Sequence, residues 1–176
     1  HHALSAAFDV TNAQAARGGI AYIEEEIGPI DILINNAGMQ FRTPLEDFPV
    51  EKWDELFKTN ISSVFYVSQP VAKAMIGRGR GKIINIASVL ATLGAGGAAN
   101  YASSKGGILQ FTRALATAWA ADNIQSNAVL PGWIDTDLTK RAKDIRPELH
   151  DRILGRVPAQ RWGRPDDLAG AAVFLA

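Results

Sequence analysis

The stretch Ile30-Asp31-Ile32-Leu33-Ile34-Asn35-Asn36-Ala37-Gly38 decides the fold. Its first half is a short apolar run rich in β-branched residues, the pattern of a strand buried on both faces. Its second half breaks that run with two asparagines and a glycine, residues that favour turns. Such a strand belongs to a parallel sheet, whose crossovers are usually helices, so the flanking sequence has to supply helical patterns. It does so on both sides. Upstream, a helical stretch runs from about Asn12 to Ile27 and is closed by Gly28-Pro29. Downstream, a long one runs from about Glu51 to Met75 and is closed by Gly77. Pro70 lies inside the second and is expected to kink or divide it, because proline removes a helical N–H and crowds the preceding turn.

The alternation continues outward. A first short run, Ala6-Ala7-Phe8, ends at Asp9-Val10-Thr11, and Lys82-Ile83-Ile84-Asn85-Ile86-Ala87-Ser88 reads as another strand, followed by a glycine-rich loop from Gly94 to Gly97. The clearest helix spans about Asn100 to Ala121. Its Tyr101, Lys105, Ile108, Thr112, Leu115 and Trp119 recur at three- and four-residue spacing and so share a face. Asn123 to Leu130 reads as a strand stopped by Pro131-Gly132. Residues 136–155 are charged and expected to be helical in pieces. A last helix is expected to start near Pro165, with Asp166 and Asp167 at its positive end, and to run to Ala176 without a stop signal.

Bulk properties narrow the function. At 176 residues the chain has the length of one domain, and its 47% apolar and 20% charged content is that of a soluble globular protein. Eighteen basic and 18 acidic residues balance to zero, which leaves no electrostatic footprint for nucleic acid or an anionic membrane. There is no cysteine, so disulfides and thiolate metal sites are excluded; a cytoplasmic location fits, and no metal site is expected. No apolar run is long enough to cross a bilayer, and the chain does not open on a secretory leader pattern. His1-His2 is a tag remnant, a chance cut or native sequence.

Three groups fall at or near the carboxyl ends of successive strand patterns: the Asn35–Gly38 turn, Ser88, and Pro131-Gly132-Trp133-Ile134. That rim is where open α/β sheets bind ligands. Tyr101 and Lys105, four apart on one helix, can reach a common point. A phenol is a poor acid or base at neutral pH, because its ordinary pKa is about 10. A neighbouring ammonium is expected to lower it. Tyr101 would then exchange a proton with a carbonyl or alcohol oxygen, and the Ser88 hydroxyl would hold that oxygen in place. No side chain supplies hydride, so a nicotinamide is the expected partner.

In this order the motifs resemble those of the short-chain dehydrogenase/reductase family. That family carries an N-N-A-G turn, a helix asparagine, a serine, Y-x-x-x-K and P-G-x-[IV]-x-T. Here they are Asn35–Gly38, Asn60, Ser88, Tyr101 to Lys105, and Pro131-Gly132-Trp133-Ile134-Asp135-Thr136. Asp9-Val10 is similar to the family's adenine-contacting pair, and Arg161-Trp162-Gly163 with Pro165 and Asp166 to the stretch before its penultimate helix. The resemblance implies a Rossmann-type doubly wound parallel sheet with helices on both faces and an NAD- or NADP-dependent oxidoreductase. It implies Tyr101 as general acid/base, Lys105 as the ribose ligand that lowers the tyrosine pKa, and Ser88 as the substrate-orienting group. It also implies Asn60 as holder of a water that links Lys105 to solvent; a buried asparagine satisfying a helix kink is the plainer alternative. Asn36, Ala37 and Gly38 would lie along the cofactor, together with Pro131 and Gly132, while Ile134 and Thr136 would meet its carboxamide end.

The family's opening strand, its glycine turn T-G-x-x-x-G-x-G, its second strand with the NAD/NADP selector, and its last strand are not in this sequence. In a sheet ordered 3-2-1-4-5-6, the run at Ala6–Phe8 would be strand 3 and that at Ile30–Ile34 strand 4. Without strands 1 and 2, the former has no neighbour and the latter presents a bare apolar edge. The native polypeptide is therefore expected to be longer at both ends, and this chain to be one domain, residues 1–176, truncated at each.

For the substrate, Met39-Gln40-Phe41-Arg42 is expected at the mouth of the site. Arg42 would pair with a carboxylate and Gln40 with hydroxyls; a solvated surface arginine is the alternative. Within the family, several stretches are similar to dehydrogenases that interconvert gluconate and 5-ketogluconate. They are Gly28 to Leu33, the turn with Gln40 and Arg42, and Pro158-Ala159 before Arg161. Ser88 to Tyr101 is also similar to 3-oxoacyl-carrier-protein reductases, for which Lys140, Arg141, Lys143 and Arg146 would supply a basic rim; a solvated helix face explains these four equally. A non-catalytic binding or assembly relative is the reading of another class. The resemblance further implies a homotetramer built on the two long helices, with Phe111 and Trp119 either at that interface or in the core.

Overall fold

The computed structural model describes residues 3–137, 139 and 148–176; His1-His2 and the four residues of the basic rim lie outside them. The chain divides into two compact units, His1–Leu130 and Pro131–Leu175.

The first unit is built on a parallel sheet of three strands, β1 (Ile32–Asn35), β2 (Gly81–Ile86) and β3 (Ile124–Val129), in that spatial order. Ile34 pairs with Ile84, and Ile84 with Asn127, so the three carboxyl ends reach one rim. Helix α1 (Ala13–Tyr22) precedes β1, and α2 (Val50–Phe57), α3 (Ser63–Arg78), α4 (Leu90–Leu93) and α5 (Ala99–Trp119) lie in the connections between the strands. Asn12 caps α1, its Oδ1 accepting from the backbone N–H groups of Gln14 and Ala15. Ile83 and Ile124 pack against Ala16, Ile20, Val67, Val71 and Met75 to form the main core. The expected stripe on α5 is where the sequence places it: Lys105, Ile108, Thr112 and Leu115 are buried, and Tyr101 and Trp119 half-buried.

Four expectations need correction. First, β1 begins at Ile32 rather than Ile30. The backbone N–H of Ile30 donates to Glu24 Oε1 (3.1 Å), and its carbonyl accepts from Arg78 Nη2 (2.8 Å), so side chains have already claimed both groups. Second, the helix after β1 is not divided at Pro70, which sits inside a continuous α3. The irregularity is a π-helical turn at Lys58–Ser62, centred on buried Asn60. Third, α3 is stopped by Gly79, not Gly77. Gly79 adopts φ 65°, its N–H bonds the Ile76 carbonyl, and the Arg80 N–H reaches back to Met75.

Fourth, Ala6–Phe8 is not a strand. Phe8 packs its ring where a Cβ at Gly19 would stand, but the backbone there has no strand partner. Phe8 and Val10 line an open apolar groove of ≈ 370 Å³ together with Ile34 of β1 and Val64 and Val67 of α3. The bare edge follows as expected: β1 pairs only with β2 among the described residues, and Ile32 and Ile34 are 45% and 49% exposed. An unpaired apolar edge recruits another strand. Sedimentation of this 176-residue chain alone should therefore show self-association, and it should bind NAD(P)H weakly. A cooperatively folded monomer, or tight NAD(P)H binding by that chain, would contradict the expectation.

In the second unit, Ile134 bridges Gly163 in parallel, and Gly163 leaves no space for a Cβ beside Ile134 Cδ1. Helices α6 (Glu148–Leu154) and α7 (Ala169–Leu175) follow. Asp167 accepts from the Arg164 backbone N–H (2.8 Å) and pairs with Arg161 (2.7 Å), which holds its carboxyl near 2. Trp162 Nε1 donates to His150 Nδ1 at 3.1 Å. Among the described residues, no helix is long and apolar enough to cross a membrane.

Candidate active site

At the rim of the first unit, β1 delivers the Asn36–Gly38 turn, β2 is followed by Ala87 and Ser88, and the first turns of α5 carry Tyr101 and Lys105. Ala87 keeps Ser88 in line with the sheet, because its N–H donates to the Val129 carbonyl at 2.8 Å. Ser88 is buried, and its Oγ accepts from the Leu90 N–H at 3.2 Å, which sets the start of α4.

Lys105 is only 4% exposed. Its Nζ donates to the Ile86 carbonyl at 2.6 Å and lies 5.7 Å from the centroid of the Tyr101 ring. Burial favours the neutral amine and pulls its pKa to about 8. A Cβ on Gly38 would stand 3.4 Å from Asn60 Oδ1 and 3.7 Å from Lys105 Nζ, so the turn, Asn60 and the lysine meet at one point.

The expected depression of the tyrosine pKa by Lys105 is not what the site does. Burial pushes the Tyr101 phenol up, and the groups that pull it back are the Ser88 hydroxyl and the charge of Arg42. The lysine is itself desolvated, so the low dielectric weakens both charged forms together. Tyr101 is therefore a protonated phenol at neutral pH. Arg42 is exposed, and its Nη2 donates to Gln40 Oε1 at 3.2 Å. Sequence reasoning offered Arg42 as a carboxylate ligand or a solvated surface arginine and missed its electrostatic reach to the tyrosine.

Asn60 makes a closed set of contacts. Its Oδ1 accepts from the Met39 N–H (2.8 Å), and its Nδ2 donates to the Met39 carbonyl (3.0 Å) and to Ser104 Oγ (3.2 Å). The helix kink and the site contact are thus the same feature. Met39 was expected at the mouth of the site but not as the partner of Asn60, and Ser104 was not foreseen; a serine at the fourth place of Y-x-x-x-K, on the buried side of an amphipathic helix, was the available signal.

The other predicted residues have local settings of their own. Asn36 and Ala37 are exposed and line the end of the groove. Asp9 is exposed, and its Oδ1 accepts from both the N–H and the hydroxyl of Thr11 at 2.8 Å, which lowers its pKa. Val10 lies in the groove wall. Pro131, Gly132, Ile134 and Thr136 belong to the second unit, where Thr139 Oγ1 donates to the Ile134 carbonyl (2.7 Å) and accepts from the Thr136 N–H (2.9 Å).

A nicotinamide cofactor fits the residues present. Among the described residues Lys105 uses one of its three N–H groups, on Ile86, and a buried ammonium needs further acceptors. Vicinal ribose hydroxyls beside Gly38 would supply them.

A half-buried tyrosine and a buried lysine one helical turn apart, at the carboxyl rim of a parallel sheet with a serine just after the preceding strand, define a nucleotide-dependent alcohol or carbonyl oxidoreductase. The sequence model of the family described as Enoyl-(Acyl carrier protein) reductase matches residues 1–176. Gluconate 5-dehydrogenase of Gluconobacter oxydans is 48% identical over 174 residues, 99% of this chain and 68% of that protein. 3-Oxoacyl-[acyl-carrier-protein] reductase of Vibrio cholerae is 39% identical over 170 residues, 97% of this chain and 68% of that one. The crystal structure of gluconate 5-dehydrogenase from Burkholderia cenocepacia, in complex with NADP and tartrate, superposes with a TM-score of 0.94 at 44% identity. That match covers 97% of this chain and 67% of the other. The chain belongs to the short-chain dehydrogenase/reductase family, NAD(P)-dependent oxidoreductases that act on CH–OH groups, and spans about two thirds of the length of these relatives.

Proposed function

We propose that this chain carries the proton-handling part of an oxidoreductase that interconverts a sugar acid and its keto form, with gluconate and 5-ketogluconate as the pair. The observation that carries the chemistry is the buried Lys105 ammonium, 5.7 Å from the ring centroid of a tyrosine that burial keeps protonated. In the reducing direction Tyr101 donates its proton to the substrate oxygen as negative charge develops there. Ser88 holds that oxygen through its hydroxyl. Lys105 anchors the cofactor ribose, and Asn60 braces the Met39 backbone beside it. Bound nicotinamide supplies the hydride. Asn36, Ala37 and Gly38 border the cofactor, and Asp9 and Val10 its adenine end. Arg42, oriented by Gln40, takes the carboxylate of the sugar acid. The likeness to the Gluconobacter and Burkholderia enzymes supports that substrate.

The likeness to the Vibrio enzyme supports a second reading, reduction of a 3-oxoacyl thioester on a carrier protein. A panel of gluconate, 5-ketogluconate and acetoacetyl thioester with each dinucleotide, on the full-length protein, separates the two. Turnover of 5-ketogluconate with no turnover of the thioester is expected; the reverse would overturn the sugar-acid assignment.

We further propose a cytoplasmic homotetramer assembled through α2, α3 and α5. Phe65 is 44% exposed on α3, with its ring 6.4 Å from that of Phe111 on α5. Trp119 packs on the core instead.

A further inference from the structure

Ser104 has no part in the chemistry proposed so far, yet it is fully buried and sits at the junction of the site's polar contacts. Its Oγ donates to the Tyr101 carbonyl at 2.9 Å and accepts from Asn60 Nδ2 at 3.2 Å. The polarity of this pair is not free to reverse. An amide nitrogen only donates, and the Met39 N–H fixes Oδ1 on the other side of the Asn60 side chain. The serine proton must therefore point at Tyr101, leaving a lone pair for Asn60. One unbroken line results: Met39 backbone, Asn60 amide, Ser104 hydroxyl, Tyr101 carbonyl. It ties the turn that borders the cofactor to the helix residue that handles the proton. Lys105, the next residue, rides on the same turn of α5.

We propose that Ser104 is a positioning residue, which sets the Tyr101 end of α5 against the Asn60–Met39 clamp so that the phenol and Lys105 share one register with the turn at Gly38. It acts through Asn60 and Tyr101 and touches neither reactant. Alanine fills nearly the same space, so packing is kept while Asn60 Nδ2 loses one of its two acceptors. The donor then has only Met39 to hold it, and the π turn at Lys58–Ser62 can shift relative to α5. Small misplacements of a proton donor reduce turnover steeply without changing what binds.

The inference rests on Tyr101 being the proton donor, and the experiment keeps the two apart. In the full-length protein, Ser104→Ala should lower kcat roughly tenfold to a hundredfold, by the general sensitivity of catalysis to sub-ångström placement. KM for the carbonyl substrate should stay within twofold, and the pH dependence of kcat should be displaced from wild type. Ser104→Thr keeps a hydroxyl that can bond a carbonyl of the preceding turn, as Thr112 does with Ile108 in the same helix at 2.7 Å. Ser104→Val has the same shape without the hydroxyl. The threonine variant should therefore be faster than the valine variant at equal volume. Wild-type kcat and pH profile in Ser104→Ala would overturn the proposal, as would equal rates for the threonine and valine variants. Full turnover by Tyr101→Phe in the same assay would instead overturn the assignment of the donor.

Discussion

Replacing Lys105 with methionine should abolish turnover and, at pH 7, stabilise the folded protein. The ammonium is 4% exposed, and burial lowers its pKa from 10.5 to about 8. That lowering corresponds to roughly 3 kcal/mol of destabilisation while the lysine is charged in both states. Loss of the bond to the Ile86 carbonyl takes back about 1.5 to 2 kcal/mol, the lower part of the range for a bond made by a charged group, so a gain of about 1 kcal/mol remains. The sign of the pH dependence follows from proton counts. Between about pH 8 and 10.5 the unfolded chain holds a proton on Lys105 that the folded chain has released. Wild-type stability therefore rises with pH across that window and is flat below it as far as this group is concerned. The methionine variant lacks that rise. Denaturant unfolding of the full-length protein at pH 7 and at pH 10 measures the difference. Equal stability of the two proteins at pH 7, or an unchanged slope between pH 8 and 10, would show that the lysine is not desolvated as described.

The second large effect is on chemistry alone. Tyr101→Phe should lower kcat by roughly 10²- to 10⁴-fold, the range contributed by a positioned acid or base. The phenol is half-buried and its hydroxyl faces Ser88, so phenylalanine keeps the ring and its packing. Circular dichroism and cofactor affinity should be unchanged. Turnover close to wild type would refute Tyr101 as the proton donor, and would favour a role for this fold in binding rather than catalysis.

Much of this was legible in the sequence wherever one face of an element is buried by its own neighbours. The α5 stripe from Tyr101 to Trp119 is an example, since every member packs within the first unit. The ends of strands were less legible because side chains from elsewhere compete for backbone groups. Glu24 and Arg78 capture Ile30, and no local pattern announces that. Pro70 misled for a related reason. Proline breaks a helix only where its lost N–H and its ring find no accommodation, whereas Asn60 distorts one because Met39 and Ser104 reward it. The grouping of Ser88, Tyr101 and Lys105 at one rim was readable from order and spacing. Its electrostatics were not, because the pKa values of Tyr101 and Lys105 depend on how deeply both are buried. Ala6–Phe8 shows the reverse dependence: a strand is a property of two chains in register, and the second is not among these residues.

The π turn at Lys58–Ser62 sets the angular relation of two helices. Each residue of an α-helix advances about 100° around the axis, and a π turn accommodates one more than the regular spiral would. Leu56 before the turn and Val64 after it are both buried. They share an inward direction only because the extra residue corrects the phase between α2 and α3. Length, as well as identity, is therefore encoded here: wound as an unbroken α-helix the same residues would carry Leu56 roughly 80° round from Val64, whereas a segment one residue shorter would keep the two in phase and lose only the bulge that holds Asn60.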